Sequence, residues 1–399
     1  MTGHPLHTAL HGEHVRLGAR FTGYFGWQVP AVYTTEAAET GRLRHAAGVA
    51  EYGFMSHTLV CGRDALATLQ HALTVDVAAQ LPGRTFQALA LAPEGTAIEE
   101  VTVHRVSEGR FIVSGRGRFA FHDSDGDCLL SARNGKPWLT DAAAGRVACV
   151  HPLGVQLLSV QGPASPAVLA QGADVAGMAF GDCRQLHLDG IPALVSRSGY
   201  SGEVGFDILV WPEYAVALWR RLEHWGRTHG MAPCGVNILT PISLEKGFLA
   251  GRDFYPGATP LELGLTALVA MDTDFQGRAA LERRLAAGAE TRLVGLELAG
   301  PVAAVPGTPI RAGTAAVGTV TASARSLALG RTLARGWVAA GRAVPGTRLT
   351  VQTPGGSDTA LVAADYRWDD PADSRRRAAL PLSPSLSTPT PAPLQEMPG

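Results

Sequence analysis

The chain has 399 residues, of which 46% are hydrophobic and 17% are charged, a composition typical of a folded globular protein and not of a disordered one. Its 34 basic and 35 acidic side chains give a net charge of −1, which argues against a nucleic-acid-binding or membrane-surface protein. No apolar run approaches the ~18 residues of a membrane span, and no basic segment followed by an apolar one opens the chain, so we expect a cytoplasmic protein.

The placement of cysteines and histidines predicts neither a disulfide framework nor a metal site. The five cysteines are widely spaced, include no C-x-x-C pair and are odd in number, which is typical of reduced thiols. Four N-terminal histidines would share one face of a helix because they are spaced three, four and three residues apart: His4, His7, His11, His14. Pro5 and Gly12 disfavour that helix, and no acid or cysteine completes a ligand shell, so we expect no bound metal.

Between about residues 15 and 285, short strand-like runs alternate with helical ones. The pattern predicts a helix over 65–74, a strand over 155–160 and a helix over 166–171. A Gln-Gly-Pro turn separates the last two, as turn chemistry requires. Alternation of this kind predicts a mixed α and β region, and 399 residues suffice for two or three domains or for one large compact unit.

The strongest helical pattern of the chain spans 213–228. Within it, Tyr214, Leu218, Leu222 and Trp225 fall on one apolar stripe, with charged side chains opposite. A stripe of this width predicts a helix that packs one face on a core and exposes the other to solvent.

The pattern changes after about residue 290. Val294, Leu296 and Leu298 alternate with other residues, and glycines punctuate the short β-branched runs that follow, which is typical of a small antiparallel barrel or sandwich. From about residue 371 the chain is rich in proline and serine, and we predict that 371–399 is disordered.

Six stretches in chain order carry a family resemblance: LGARFTGYFGWQVPAVY (17–33), LLSVQGPAS (157–165), SRSGYSGEVGFDI (196–208), ISLEKGFLAGRDFYPGATPLELGL (242–265), DFQGRAAL (274–281) and GTVTASARSLALGRTLARGWV (318–338). Together they resemble the glycine-cleavage T-protein (aminomethyltransferase) superfamily of folate-dependent one-carbon transferases. The resemblance implies an α+β, three-lobed cloverleaf around a central channel that holds the folate. Two α+β lobes would come from residues 1–285, and a C-terminal β-barrel from 286–370.

The glycine-rich stretch 196–208 is the most specific of these matches. In the family, the acid of a G-Y-T-G-E turn accepts hydrogen bonds from the 2-amino group and N3–H of the pterin ring, a paired, charge-assisted geometry. Carried over, that acid is Glu203, Tyr200 lines the same slot, and Arg197 of the S-R-x-G-Y pattern is a further cofactor-binding residue. Without the resemblance, Tyr200 would be interpreted as a core residue and Glu203 as a solvated turn acid.

Several positions depart from the family pattern. Glu99 and Glu100 stand where the family has two aspartates near the reacting folate nitrogens, and successive strand residues face opposite sides, so the sequence leaves open which one is catalytic. Ser114 takes the place of an asparagine near the folate, and we count it among the cofactor-binding residues. Ser243 replaces an arginine, and Phe54 replaces a histidine. We interpret these changes as a pterin end that is kept and a donor end that is rebuilt.

The predicted function is therefore transfer of a methyl or methylene unit between a small specialised metabolite and tetrahydrofolate, with the 5-methyl or 5,10-methylene form as cofactor. Glu203 would anchor the pterin, and Glu99 or Glu100 would give acid or electrostatic help. The altered acid pair makes a lipoyl carrier protein an unlikely partner. Two alternatives stay open, which are a non-catalytic or regulatory folate-binding module and a glycine-cleavage-type aminomethyltransferase.

Overall fold

A computed structural model of the chain describes residues 5–115, 136–255, 257–366, 368, 374–378 and 380. Its strands, in chain order, are β1 Leu6–His7, β2 Arg20–Tyr24, β3 Trp27–Val32, β4 Gly48–Glu51, β5 Ser56–Cys61, β6 Arg84–Leu91, β7 Ala97–Ser107, β8 Arg110–Gly115, β9 Cys149–Leu153, β10 Gln156–Gln161, β11 Cys183–Leu188, β12 Ile191–Ser196, β13 Gly205–Val210, β14 Ala232–Pro233, β15 Thr291–Leu298, β16 Pro309–Ala312, β17 Ala315–Ser326, β18 Arg331–Ala339, β19 Arg348–Thr353 and β20 Gly356–Val362. Its α-helices are α1 His11–Arg16, α2 Glu36–His45, α3 Ala65–Ala72, α4 Pro137–Ala142, α5 Ser165–Leu169, α6 Pro212–Gly226, α7 Leu239–Lys246, α8 Arg278–Ala287 and α9 Ser374–Arg377. Within the described residues, no helix has the length and apolar character that crossing a bilayer requires.

The first lobe is built on a five-stranded antiparallel sheet with the order β6-β7-β8-β5-β9. Its core packs β-branched and aromatic side chains of the sheet, such as Val103 and Phe111, against Leu69 of α3 and Leu139 of α4. Successive side chains along each strand point to opposite faces of the sheet, and one of these faces packs against the two helices. A short three-stranded sheet, β1-β3-β2, precedes this lobe in the chain.

The second lobe is a six-stranded sheet with the order β11-β12-β13-β10-β4-β14, covered by α5 and α6. Leu218 and Leu222 of α6 are fully buried, as the apolar stripe predicts. Tyr214 of the same stripe is 38% exposed, whereas Trp219, outside the predicted stripe, is 0% exposed. The buried face is therefore rotated toward Trp219, whose large ring fills the space beside the imidazole of His14, 5.2 Å away.

The C-terminal lobe is a closed barrel with the order β15-β18-β17-β16-β19-β20, and β20 pairs back onto β15. Val294, Leu296 and Leu298 point into its core, so the prediction of a small antiparallel barrel within an α+β protein is confirmed. A bulge in β17 between Val320 and Ala322 helps the strand to bend around the barrel. Part of the stretch predicted to be disordered, Ser374–Arg377, instead forms α9, and its Arg376 side chain is buried.

A buried ion pair joins the barrel to the chain segment that follows α7. The Asp253 carboxylate lies 2.9 Å from Arg335 Nη2, and both side chains are almost fully buried. Asp253 also accepts hydrogen bonds from the Thr321 hydroxyl at 2.6 Å and from the backbone N–H of Ala250 at 2.7 Å. Since β17 and β18 supply Thr321 and Arg335, this carboxylate links the barrel to the lobes.

We expect Asp253→Ala to lower the free energy of unfolding by ~3–5 kcal/mol, because it leaves the Arg335 guanidinium buried without its counter-charge. Chemical denaturation measures the change. The matched control is Glu282→Ala, which removes an exposed pair with Arg278 at 3.1 Å and should cost less than ~0.5 kcal/mol. Equal losses in the two variants would contradict a linking role for Asp253.

Candidate functional site

A cavity of about 470 Å³ is lined by residues of the five-stranded sheet, the six-stranded sheet, α7 and α9. Aromatic side chains form much of its wall: Tyr24, Phe25, Tyr52, Phe54, Phe86, Phe180. Polar side chains also reach it: Glu100, Ser114, Ser198, Asp207, Thr240, Ser243. A mostly apolar cavity of this volume with a few polar groups suits a flat organic ligand.

Asp207 of β13 is the acidic side chain that the glycine-rich turn brings to the cavity wall. The Ser159 hydroxyl donates to its Oδ1 at 2.6 Å, and the Ser198 hydroxyl donates to its Oδ2 at 3.4 Å. Burial raises the pKa of Asp207 to about 6, although these two hydrogen bonds act in the opposite direction. At neutral pH the group is therefore mostly ionised and can accept hydrogen bonds from a ligand.

Gln161, at the end of β10, fixes the turn that leads into β13. Its Nε2 donates to the Ser198 carbonyl at 3.0 Å, and its Oε1 accepts from the Ser201 hydroxyl at 2.6 Å. A Cβ on Gly199 or Gly205 would lie 2.1 or 2.2 Å from atoms of this amide. The turn therefore needs these glycines so that its backbone can approach Gln161.

Glu203 lies behind the cavity wall and not on it. It is only 4% exposed, and Arg44 Nη1 donates to its Oε1 at 2.5 Å. Arg44 also donates to Glu245 of α7 through Nη2, and Arg375 Nη1 lies 3.6 Å from Glu203 Oε1. A buried carboxylate is costly without a partner, and Arg44 supplies one. The placement of Glu203 therefore differs from the predicted ligand contact, and its carboxylate joins α2, the turn and α7.

Tyr200, which we predicted to line the pterin slot, is on the wall of this cavity. Its hydroxyl donates to the carbonyl of Leu249 at 2.8 Å, and its ring packs on that of Phe248 with centroids 4.7 Å apart. The hydrogen bond and the ring contact together fix the position of the phenol at the cavity wall.

Arg197, predicted to bind the cofactor, has a structural role instead. Its side chain is 1% exposed and donates to the carbonyls of Met178 at 3.1 Å and Arg376 at 3.4 Å, and also to the Ala378 carbonyl. A guanidinium has donors in a fixed fork, which suits it to hold several carbonyls at once. Arg197 thereby anchors the C-terminal segment to the second lobe and lies outside the cavity wall.

The two glutamates of β7 face opposite sides of the sheet, as strand geometry requires. Glu99 is buried, and Lys136 Nζ lies 2.7 Å from each of its carboxylate oxygens. Trp138 Nε1 donates to the same carboxylate at 3.3 Å. Glu100 is on the cavity wall. Of the two candidates, Glu99 is held in a buried ion pair with Lys136, and Glu100 lines the cavity.

Ser114 of β8 lines the cavity and is backed by two buried histidines that sequence reasoning missed. Its hydroxyl lies 2.9 Å from His57 Nδ1 and 3.3 Å from His104 Nε2, and His104 Nδ1 lies 2.9 Å from the Thr85 hydroxyl. Burial lowers the pKa of His57 to about 3 and that of His104 to about 4. Both imidazoles are therefore neutral at pH 7, and the chain of hydrogen bonds fixes the orientation of the Ser114 hydroxyl.

The signal for these histidines is present in the sequence but is weak. His104 follows Glu100 by four residues on β7, so both occupy positions of the same parity, and the antiparallel register pairs His57 of β5 with Ser114. A lone histidine in a strand is more often a core residue than a functional one, and the pairing of strands cannot be deduced from spacing alone.

Of the five positions that depart from the family pattern, all but Glu99 lie on the wall of this one cavity: Phe54, Glu100, Ser114, Ser243. They come from three separate parts of the chain, so their proximity is a property of the fold. Ser243 of α7 turns its hydroxyl to the Thr240 carbonyl at 2.9 Å, and Phe54 packs edge-on against Tyr24 at 4.9 Å.

The N-terminal histidines that fall within the described residues have other contacts. His7 and His11 stack with ring centroids 3.8 Å apart, and His14 lies between Tyr33 (2.8 Å) and Glu51 (3.5 Å). His4 lies outside the described residues. Across the ranges that the structure describes, no three histidine, cysteine, aspartate or glutamate side chains come together in a way that could hold a metal ion.

Comparison with known proteins gives consistent similarities over almost the whole chain. A family model of the GCVT N-terminal domain matches residues 10–273, and one of the glycine cleavage T-protein C-terminal barrel domain matches residues 291–367. The chain is 34% identical to the aminomethyltransferase of Streptomyces coelicolor, over 85% of this chain and 91% of that protein. It is 33% identical to the aminomethyltransferase of Streptomyces avermitilis, over 86% of this chain and 92% of that protein. Its fold superposes on the crystal structure of glycine cleavage system aminomethyltransferase T from Bartonella henselae with a TM-score of 0.81, at 25% identity, covering 93% of this chain and 99% of that one.

The buried histidines predict a pH-dependent stability. Their pKa values are lowered in the folded state, so between about pH 6.5 and pH 4 only the unfolded chain takes up protons on these imidazoles. The free energy of unfolding therefore decreases as the pH is lowered through this range. Each should contribute a slope of ~1.4 kcal/mol per pH unit within that window. Asp207, with a raised pKa, acts in the opposite direction between about pH 4 and pH 6. The measurement is therefore the free energy of unfolding, obtained from urea denaturation of the parent and of His57→Gln. Each protein is measured at pH 7 and at pH 5, and the change between the two pH values is compared.

The variant should lose less stability than the parent on acidification, by ~2 kcal/mol over that interval. Replacing the exposed His187 by Gln is the matched control and should leave the slope of the parent unchanged. An identical slope in the parent and His57→Gln would contradict a neutral, buried imidazole at this position.

Proposed function

The chain belongs to the glycine cleavage T-protein family, and on this premise we propose that it is a tetrahydrofolate-dependent one-carbon transferase. The observation that carries the proposal is the position of Asp207, a partly buried carboxylate on the wall of a mostly apolar cavity. Such a group suits a flat heterocycle that offers two N–H donors side by side, and it does not suit an apolar ligand.

The residues present fit a reduced pterin at this end of the cavity. The ring presents its 2-amino group and N3–H on one edge, and the two oxygens of Asp207 can accept both. Tyr200 and the aromatic wall offer flat surfaces against which the ring can pack. We therefore assign to Asp207 the role that we predicted for Glu203, and Tyr200 keeps its predicted role as a wall of the pterin slot.

Glu100 and Ser114 are the side chains that we assign to the reacting part of the cavity. When bound, tetrahydrofolate supplies the nitrogen atoms that take up or give a one-carbon unit. A carboxyl group such as that of Glu100 can deliver a proton from its oxygen to a leaving heteroatom of the donor and can take one back in the reverse direction. Ser114, oriented by His57 and His104, can hydrogen-bond to the ligand beside it. Glu99 stays ion-paired with Lys136 and supports β7.

We further propose that the one-carbon donor is a small specialised metabolite. The support is the clustering of Phe54, Glu100, Ser114 and Ser243 on one cavity wall, because changes at a single wall alter what fits against it. These substitutions remove an imidazole, an amide and a guanidinium relative to the family pattern, which favours a less polar donor than the family's. A methyl donor would give the 5-methyl form of the folate, and transfer would be redox-neutral.

A glycine-cleavage-type aminomethyltransferase is the second candidate. It is favoured by the relatives, since the Streptomyces proteins that match over more than nine tenths of their length are named aminomethyltransferases. In that case the donor would be an aminomethyl group on a carrier, ammonia would be released, and the folate product would be the 5,10-methylene form. The nature of the donor separates this candidate from the first.

Asp207→Asn should weaken binding of 5-formyltetrahydrofolate by ~10–100-fold, because an amide cannot accept both pterin N–H groups as a charged carboxylate does. Isothermal titration calorimetry measures the affinity. The affinity of the parent should also fall as the pH drops below about 6, since protonation of Asp207 removes one acceptor, and the variant should not show this fall.

The matched comparison is Glu203→Gln. It should lower the melting temperature, because Arg44 loses a buried counter-charge, but at temperatures where it is folded it should bind the same ligand within about threefold of the parent. The reverse result, with weak binding in Glu203→Gln and unchanged binding in Asp207→Asn, would refute the assignment of Asp207.

Glu100→Gln should lower the rate of one-carbon transfer by ~100-fold or more while leaving the dissociation constant for tetrahydrofolate within a few-fold of the parent. The assay follows ¹³C from a labelled donor into tetrahydrofolate by mass spectrometry. One arm uses a panel of N-, O- and S-methylated small molecules, and the other uses an aminomethylated lipoyl carrier protein.

Transfer from a small molecule alone supports the first candidate, and transfer from the carrier alone supports the second. Tight folate binding with no transfer from any donor would instead indicate a non-catalytic folate-binding module. Glu100→Asp tests the geometry, because shortening the side chain by one methylene withdraws the carboxyl by ~1 Å and can cost ~100-fold in rate.

A further inference from the structure

Two cysteines face each other across neighbouring strands of the first lobe. Cys61, the last residue of β5, is paired directly with Cys149, the first residue of β9, in the antiparallel register. Both are free thiols, Cys61 half-buried and Cys149 exposed. Directly opposite residues of an antiparallel pair have Cα atoms about 4.5 or 5.5 Å apart, and a disulfide needs a Cα separation of about 4.4–6.8 Å. The backbone therefore holds the two residues at a separation that a disulfide can span.

The chain next to this pair is fixed by close backbone contacts. Gly62 has a φ of +118°, and a Cβ there would lie 2.7 Å from the carbonyl oxygen of Val147 and 3.2 Å from the Cα of Ala148. The Asp64 carboxylate accepts from the N–H of Val147 at 2.7 Å, and the N–H of Asp64 donates to the Val147 carbonyl at 3.1 Å. The segment after β5 is thus bound to the segment before β9, which keeps the two cysteines facing each other.

The two thiols differ in their surroundings. Burial raises the pKa of the Cys61 thiol, and the nearby Cys149 sulfur and its hydrogen bond to Cys61 act in the same direction. Cys149 is exposed and can be reached by a reagent in solution. Once the Cys149 sulfur is bonded to another sulfur it carries no negative charge, so its electrostatic share of the shift at Cys61 is lost. This asymmetry suits Cys149 as the thiol that reacts first and Cys61 as the thiol that resolves the mixed disulfide.

The pair lies where a covalent link would act on the sheet. β9 is an edge strand, paired on one side with β5 in the order β6-β7-β8-β5-β9. Edge strands open more readily than central ones because fewer contacts hold them. At the other end of β5, His57 faces Ser114 of the cavity wall, so the cysteines lie away from the cavity. The dithiol is therefore separate from the proposed one-carbon chemistry.

We propose that Cys61 and Cys149 form a redox-active dithiol, which a low-molecular-weight disulfide oxidises to a cross-strand disulfide that fastens β9 to β5. The Cys149 thiolate attacks one sulfur of the small disulfide, breaks its S–S bond and forms a mixed disulfide, while the other sulfur leaves as a thiolate. The Cys61 thiolate then attacks the Cys149 sulfur and releases the second small thiolate. Two protein thiols are oxidised, the small disulfide is reduced to two thiols, and these take up the two protons.

The test uses the full-length chain in buffers of glutathione disulfide and glutathione. Mass spectrometry of the oxidised protein should show the loss of two hydrogen atoms, and its digest should contain one cross-linked pair of peptides that carries Cys61 and Cys149. The reference is the same exchange in concentrated urea. The cross-link should form with an equilibrium constant ~30-fold or more larger in the folded chain than in the unfolded one, because the fold already holds the thiols together.

Single variants separate the two roles. Cys61→Ser should stop at a glutathione adduct on Cys149, and Cys149→Ser should leave Cys61 largely unmodified. The matched control is Cys128→Ser, which removes a cysteine outside the described residues and should keep the cross-link of the parent. Melting temperatures under reducing conditions should be similar in all four proteins, which shows that each variant is folded.

Hydrogen exchange measures the effect on the strand. Oxidation should slow amide exchange in β9 of the parent by ~10-fold or more, because the link opposes local opening of the edge, and should leave exchange in β15 unchanged. The Cys61→Ser variant, treated in the same way, should show no such slowing in β9.

Four results would overturn the inference. Glutathione adducts without a cross-link in the parent would show that the two thiols do not form a dithiol. A cross-link that includes Cys128, or that is lost in Cys128→Ser, would place the bond elsewhere. An equal equilibrium constant in the folded and unfolded chains would show that the fold does not build the site. Unchanged exchange in β9 after complete oxidation would show that the disulfide does not fasten the strand.

Discussion

The cost of burying an unpaired charge organises this molecule around its cavity. Two short motifs each bring two carboxylates close together in the chain, and in each the fold places one behind the cavity wall and the other on it. Arg44 pairs with Glu203 behind the glycine-rich turn, and Lys136 pairs with Glu99 behind β7. Asp207 and Glu100 are the acids that remain on the cavity wall. A buried carboxylate is costly without a cation or hydrogen-bond donors, and Arg44 and Lys136 therefore account for the burial of Glu203 and Glu99 behind the wall.

Most of the fold follows from the sequence because it is encoded by local periodicity. The alternation of Val294, Leu296 and Leu298 predicts the barrel strand β15, and the predicted helix over 213–228 corresponds to α6 with boundaries that differ by one or two residues. Which face of α6 is buried is less predictable, because Trp219 is outside the predicted stripe and packs beside the His14 ring, which is distant in the chain. The C-terminal helix α9 is held by long-range contacts from Arg197, which composition cannot reveal.

The candidate site is predictable in its motifs but not in the assignment of roles within them. Glu203 and Asp207 occur four residues apart in one glycine-rich stretch, and both have the chemistry to bind a pterin edge. Their roles differ because β13 begins at Gly205, so Asp207 has a strand direction toward the cavity, whereas Glu203 is in the turn next to α2. Arg44, which neutralises Glu203, is more than 150 residues away in the chain. Only the tertiary structure brings that partner to the turn, and the same holds for His57 and His104 behind Ser114.

The part of the cavity that departs from the family pattern has fewer polar groups on its wall and two neutral imidazoles in the layer behind it. Phe54 and Ser243 reduce the number of polar groups on the wall, while His57 and His104 supply neutral hydrogen-bonding groups in the layer behind it. A wall with fewer polar atoms holds less ordered water, and a dry site strengthens each remaining electrostatic interaction. Glu100 reaches one methylene farther than an aspartate would, so the space left for the donor is shorter by about that length. A longer acid and a drier wall both favour a small and weakly polar donor, and this shared direction is the reason for proposing a change of substrate in preference to a loss of activity.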